Sequence, residues 1–161
     1  MPTLDELPVV DAEQFVAASF ASFIDDLVAS GADRNAATAT ADEHLCRLLP
    51  DGVRTEEHQF RSIQDEGRQV GRLWFGPLRE SPGDWYLFEV EVDEAERGHG
   101  IARAALTEVI CALDPSTVER LGLNVFDANT AAVALYESLG FEGGHDKGGG
   151  REMWLQLRTT R

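Results

Sequence analysis

Two rhythms of apolar and polar positions alternate along the chain, and each switch between them marks an element. Residues 3–10 read as a short strand or an extended lead-in. Over residues 11–30 the rhythm becomes helical: Phe15, Ala18, Phe20, Phe23, Leu27 and Val28 recur at the spacing that gathers side chains on one helix face. Asp11 stands where an N-cap is expected. Gly31-Ala32-Asp33 ends that stretch, and a second, alanine-rich helix is predicted over 35–49, stopped by Pro50-Asp51-Gly52. Extended segments at 57–64 and 68–75 flank Asp65-Glu66-Gly67, the pattern of a hairpin. Ser81-Pro82-Gly83-Asp84 breaks the chain before a strand over 85–92. A helix over 97–113, a strand over 121–126 and a helix over 129–139 follow, the last closed by Gly140-Phe141. The tail offers an extended piece at 142–145, a glycine-rich turn at 148–150 and a final strand at 152–157. The order ααβββαβαβ, with room for a strand in front, predicts a mixed α/β fold in one domain over 1–161.

Composition narrows the class. A chain of 161 residues with three Trp and eight Phe has the material for one sizeable core. No apolar run approaches the roughly 20 residues of a membrane span, and the acidic N-terminus has no signal-peptide character, so a cytoplasmic protein with no membrane partner is expected. Cys46 and Cys111 are too few for a disulfide framework and read as small buried residues in helices. No Cys/His set has metal spacing. A formal charge of −15 repels phosphate backbones, which argues against nucleic acid. It favours a cationic ligand such as a polyamine, an aminoglycoside or a basic peptide, although an acidic surface also serves solubility alone.

The chemically loaded segment runs from Val92 to Ala102. A strand ends, Arg97-Gly98-His99-Gly100 follow, and a helix begins at Ile101-Ala102. The first N–H groups of a helix lack internal partners, so this end suits an anion. Gly98 and Gly100 let a phosphate approach the backbone and allow positive φ. Two glycines alone are equally compatible with a tight turn that binds nothing. A Walker A loop would need Gly-Lys-Ser/Thr where Ile101-Ala102-Arg103 stands, and a dinucleotide fingerprint would need Gly or Ala at Arg103.

What the segment does resemble is R-x-x-G-x-G/A, the pyrophosphate loop of the GNAT superfamily of N-acetyltransferases, with Arg97, Gly100 and Ala102 at the defined positions. A second pattern lies downstream in the expected order: strand, Asn129, a helix with Leu135-Tyr136, then Gly140-Phe141. Two patterns in register make the resemblance strong over 85–157 and looser before it. It implies a GNAT fold with a central mixed sheet of six to seven strands flanked by about four helices. It also implies acetyl-CoA as co-substrate without a metal, an acceptor-side half over 1–80 and a coenzyme-binding half over 81–161.

Residue roles follow from the same resemblance. Val90, Val92, Arg97, Gly98, His99, Gly100, Ile101, Ala102 and Asn129 are the candidate coenzyme contacts, with the Val92 N–H facing the thioester carbonyl. Asn129 also reads as a helix cap. Tyr136 is a core tyrosine by position and a general acid by resemblance. Glu89, or else Glu91, on the strand before the loop is the candidate base. His58 lies in a stretch, Leu49-Pro50-Asp51-Gly52 to Thr55 and then Gly71 to Trp74, similar to a bacterial GNAT subgroup, and reads otherwise as a surface strand histidine. Glu94 departs from the proline common before the loop. The expected activity is acetyl transfer to a primary amine of a small molecule or peptide by direct attack on the thioester. The rival is a non-catalytic acyl-CoA-binding module, and a homodimer is compatible with either.

Overall fold

The computed structural model describes residues 1–146 and 149–157. Seven strands form one mixed sheet in the order β1-β2-β3-β4-β5-β7-β6. They are β1 (Thr3–Glu6), β2 (Gln59–Asp65), β3 (Arg68–Pro77), β4 (Asp84–Val92), β5 (Arg120–Phe126), β6 (Glu142–Asp146) and β7 (Gly150–Gln156). Helices α1 (Val9–Ala29) and α2 (Arg34–Leu48) cover one face; α3 (Ile101–Ala112) and α4 (Thr130–Ser138) cover the other. Among the described residues only β4 and β5 run parallel, and the α3 crossover between them is what a parallel pair requires.

Each face has its own core. Ala12, Phe15 and Val16 of α1 pack on Phe60 and Trp74. Ala105, Leu106 and Val109 of α3, with Tyr136 of α4, pack on Leu73, Leu87, Leu121 and Leu123. The β2–β3 hairpin turns on Glu66 and Gly67, both at positive φ (52° and 76°), the conformation whose twist matches the flanking strands.

Several boundaries differ from the sequence reading. Helix α1 starts two residues early, behind Pro8, and Asp11 lies in its first turn instead of capping it. Proline supplies the extended entry there, and its carbonyl accepts from Ala12 N–H. Asp33 caps α2 by accepting from the Ala36 N–H. Helix α3 begins at Ile101, because positive φ at Gly98 and Gly100 keeps residues 97–100 in the loop. The piece after Gly140 is a strand of its own, β6, and the predicted glycine turn at 148–150 lies partly outside the described residues, since Gly148 is not among them. Both cysteines are exposed, contrary to expectation, because they fall on the outward faces of α2 and α3.

Candidate active site

The site originates in a strand pairing that stops halfway. β4 and β5 are in register from Asp84↔Arg120 to Leu87↔Leu123 and no further. At the closed end the Asp84 carboxylate accepts two hydrogen bonds from Arg120, each 2.8 Å, and the Arg120 guanidinium lies 3.9 Å from the Trp154 ring centroid. Beyond Leu87 the strands splay around a cleft of about 190 Å³ lined by Glu89, Val90, Val125, Asn129, Ala132 and Tyr136.

The β4 backbone faces this cleft. Asp93 N–H donates to Val70 O, and in an antiparallel pair the bonded residues alternate, so Glu91 and Glu89 also bond towards β3. Val90 and Val92 therefore direct their N–H and C=O groups the other way, into the opening. The Val92 carbonyl accepts from Arg97 Nε at 3.0 Å, which ties the loop back to the strand end. Gly98 and Gly100 sit at φ 80° and 78° with open space where a Cβ would project, so conformation, not crowding, calls for glycine at both. Gly100 is the N-cap of α3 and brings no side chain to it. Its carbonyl takes the Ala104 N–H, and the N–H groups of Ile101, Ala102 and Arg103, at the start of the helix, are left without partners inside it. His99 is exposed, with Nδ1 3.1 Å from Glu96 O. Asn129 caps α4, accepting from Ala132 N–H at 3.2 Å.

A one-residue bulge places the carboxylates. Trp74 pairs with Glu89 and Phe75 with Leu87, so Phe88 has no partner in β3. The extra residue reverses the alternation. Trp85 and Leu87, then Val90 and Val92, pack on the α3 side, while Phe88 belongs to the α1 side with Tyr86 and Glu89. Glu91 reaches the same side, 3.6 Å from Arg72, whose guanidinium lies 4.4 Å from the Phe15 ring. Glu91 is thus half-exposed and paired. Glu89 is less exposed, and burial pushes its carboxyl above the usual carboxylate range, with the Glu91 charge adding to the effect. A hydrogen bond from Ser19 and the charge of Arg72 oppose that rise. Tyr136 is buried, edge-on to Phe141 at 5.8 Å, and its phenol is held above its ordinary value, first by burial and then by the Glu89 charge.

On the α1 side lies a second cavity, about 420 Å³, between α1, α2 and the sheet. Phe88, Glu89, Asn124 and Phe126 border both it and the cleft. Its remaining walls include Ser19, Phe23 and Asp26 of α1, with Trp74 and Tyr86 of the sheet. Sequence reasoning missed this group. Its signal was present: Ser19, Ser22 and Asp26 are polar positions at helical spacing on an otherwise apolar stretch. A larger hollow, about 530 Å³ under α3, contains none of the candidate residues.

His58 also departs from the surface role expected of it. It precedes β2, is 9% exposed, stacks on Phe88 at 5.5 Å and accepts from Trp74 Nε1 at 3.0 Å. Burial, reinforced by the Arg79 charge, lowers it to about 4, so it is neutral at physiological pH. Among the described residues no group of His, Cys, Asp and Glu could hold a metal ion, and no helix is long and apolar enough to cross a membrane.

Parallel strands that part near a glycine-turned helix N-terminus are the architecture that the resemblance to the GNAT superfamily implies. The profile described as Acetyltransferase (GNAT) family matches residues 24–141. An uncharacterized N-acetyltransferase of Bacillus subtilis, YdgE, is 29% identical over 143 residues, covering 86% of this chain and 90% of its own. The structure of YycN from Bacillus subtilis superposes with a TM-score of 0.75 at 25% identity, covering 91% and 96% of the two chains. PaiA N-acetyltransferase from Thermoplasma acidophilum, solved with coenzyme A, gives a TM-score of 0.65 at 14% identity over 97% and 99%, a likeness of fold. The chain belongs to the GNAT family of acetyltransferases. It is an acetyl-CoA-dependent N-acetyltransferase.

Proposed function

We propose that the enzyme transfers the acetyl group of acetyl-CoA to a primary amine by direct attack on the thioester, with the coenzyme in the β4–β5 cleft and the amine in the α1-side cavity. One observation carries this reading: Glu89 borders both spaces. The N–H groups of Ile101, Ala102 and Arg103, with the turn at Gly98-His99-Gly100, suit a pyrophosphate, and Arg97 fixes that turn through Val92. The inward N–H and C=O groups of Val90 and Val92 are a strand edge for the amide-bearing arm of the coenzyme. Asn129 holds the α4 terminus beside that arm. On this reading the chain up to residue 80 mainly supplies the acceptor side and the remainder the coenzyme side, in a cytoplasmic enzyme.

A free alkylamine titrates near 10.4 and arrives protonated, so a base must remove a proton before nitrogen can attack. Glu89 is that base, directly or through water, and its raised carboxyl is better matched to the task than paired Glu91. As the N–C bond forms, the Val92 N–H stabilises negative charge developing on the carbonyl oxygen. As the C–S bond breaks, Tyr136 gives its proton to the departing sulfur and regains one from the nitrogen, which sheds its second proton on becoming an amide; burial keeps the phenol protonated until then.

The test is thermal unfolding with acetyl-CoA, CoA, ATP and NAD separately. The two coenzymes at 100 times Kd should stabilise the fold by about 2.7 kcal/mol, and the nucleotides should not. Failure of both coenzymes at millimolar concentration would remove the basis of the site.

A further inference from the structure

The α1-side cavity has a chemistry that narrows the acceptor. Its walls are aromatic: Phe20, Phe23, Trp74, Tyr86, Phe88 and Phe126 all contribute. Aromatic faces attract alkylammonium groups and the methylenes beside them. The charged side chains of the lining are both carboxylates, Glu89 at the junction with the cleft and Asp26 on α1. Their circumstances differ. Glu89 receives the Ser19 hydroxyl and is pushed up by burial. Asp26 is exposed and its carboxylate has no cation within reach among the described residues, whereas the adjacent Asp25 pairs with Arg34 at 3.3 Å.

The helix sets the spacing. Ser19, which holds Glu89, and Asp26 are seven residues apart on one face of α1, two turns or roughly 10 Å along the axis. Phe23 lies between them, stacked against His44 at 5.9 Å. A ligand lying along this wall meets, in order, the base, an aromatic face and a second carboxylate.

Resting on the acetyl-transfer reading above, the geometry points to a linear aliphatic diamine as acceptor. One amino group is deprotonated at Glu89 and attacks the thioester. The methylenes lie on Phe23 and the facing aromatic rings, and the distal ammonium stays charged at Asp26. The products are the mono-N-acetyl diamine and the CoA thiol; of the two protons the nitrogen loses, one is taken up by Glu89 and the other replaces the one Tyr136 gave to sulfur. A monoamine of equal length reaches the same base but leaves Asp26 unused.

The experiment compares cadaverine with n-pentylamine in steady-state acetylation, in the wild-type enzyme and in Asp26→Asn and Phe23→Leu, with CoA-induced thermal stabilisation recorded for each. Cadaverine should be preferred in kcat/KM by about fivefold or more, the scale of one exposed ion pair plus a cation–π contact. Asp26→Asn should erase that preference by slowing cadaverine alone, and Phe23→Leu should slow both amines. Equal use of the two amines, an unchanged preference in Asp26→Asn, or acetylation of peptide N-termini without cadaverine would overturn the diamine assignment while leaving acetyl transfer intact. If CoA stabilises the protein but neither amine is acetylated, the diamine assignment is again lost. Absence of any stabilisation by CoA would instead count against the underlying acetyl-transfer reading.

Discussion

The cleft and the cavity share Glu89 but are made of different material. The cleft presents backbone: the inward groups of Val90 and Val92, the turn at Gly98 and Gly100, the bare amides of α3. The cavity presents side chains: aromatic rings, Asp26 and the outward-facing Glu89. A backbone site demands particular conformations and tolerates many side chains, so it suits a ligand common to the whole family. A side-chain site changes with each substitution, so it suits the ligand that distinguishes one member from another. Substitutions in the cleft should therefore affect coenzyme handling, and those in the cavity acceptor choice.

The sharpest test of this division lies at the shared boundary. Tyr136→Phe and Glu89→Gln should each lower kcat about a hundredfold or more, the usual contribution of a positioned acid or base. Thermal stabilisation by CoA should persist in both. Wild-type turnover in Tyr136→Phe would return that residue to the core role its burial also suits.

Acid should weaken the packing on the α1 face of the sheet. His58 titrates near 6.5 in an unfolded chain and at about 4 in the fold, so between these values the unfolded state binds the extra proton. The stability from holding His58 neutral is therefore complete above about 6.5 and lost as pH falls towards 4, a change of up to about 3 kcal/mol. Denaturant unfolding at pH 7 and pH 4.5 measures it, and His58→Gln should flatten the difference. Trp74 would lose its acceptor in the same step, since imidazolium nitrogens only donate.

In the cleft, Gly100→Ala meets no steric obstacle, so its cost is conformational, about 1–2 kcal/mol for an L-residue at φ 78°. The KM for acetyl-CoA should rise roughly tenfold, with the KM for amine unchanged. The smallest expected effects concern the acid limb of the pH profile of kcat/KM, set by Glu89 losing its proton. Arg72→Met removes a nearby positive charge and should move that limb up, and Glu91→Gln should move it down, each by about a few tenths of a pH unit. Shifts in the same direction would exclude Glu89 as the group observed.

The sequence reading succeeded where local chemistry is decisive. Gly98 and Gly100, Asn129 before an apolar helix and Gly140 after it each answer a backbone requirement that leaves a one-residue signature. Alternation put Glu89 and Glu91 together on one strand face, but it is the bulge at Phe88 that turns this face to α1. The choice between them needed the third dimension, because Arg72 and Ser19 come from elements distant in sequence. The α1-side cavity was hidden for the same reason: α1 and the far end of β5 meet only in the folded sheet. His58 escaped because its partners are Trp74 and Phe88, and nothing around position 58 announces burial.

The unpaired Phe88 also bears on how relatives are aligned. A strand's inside-outside pattern has a period of two, and one extra residue shifts its phase. A comparison that matches apolar positions straight through β4 will be in phase before Phe88 and out of phase after it wherever a relative lacks the bulge. Glu89 would then be set against a core residue, and its absence inferred where the carboxylate stands one position away. Deleting Phe88 itself would remove the bulge and restore plain alternation, leaving Glu89 and Glu91 on the α1 side and Val90 and Val92 on the α3 side.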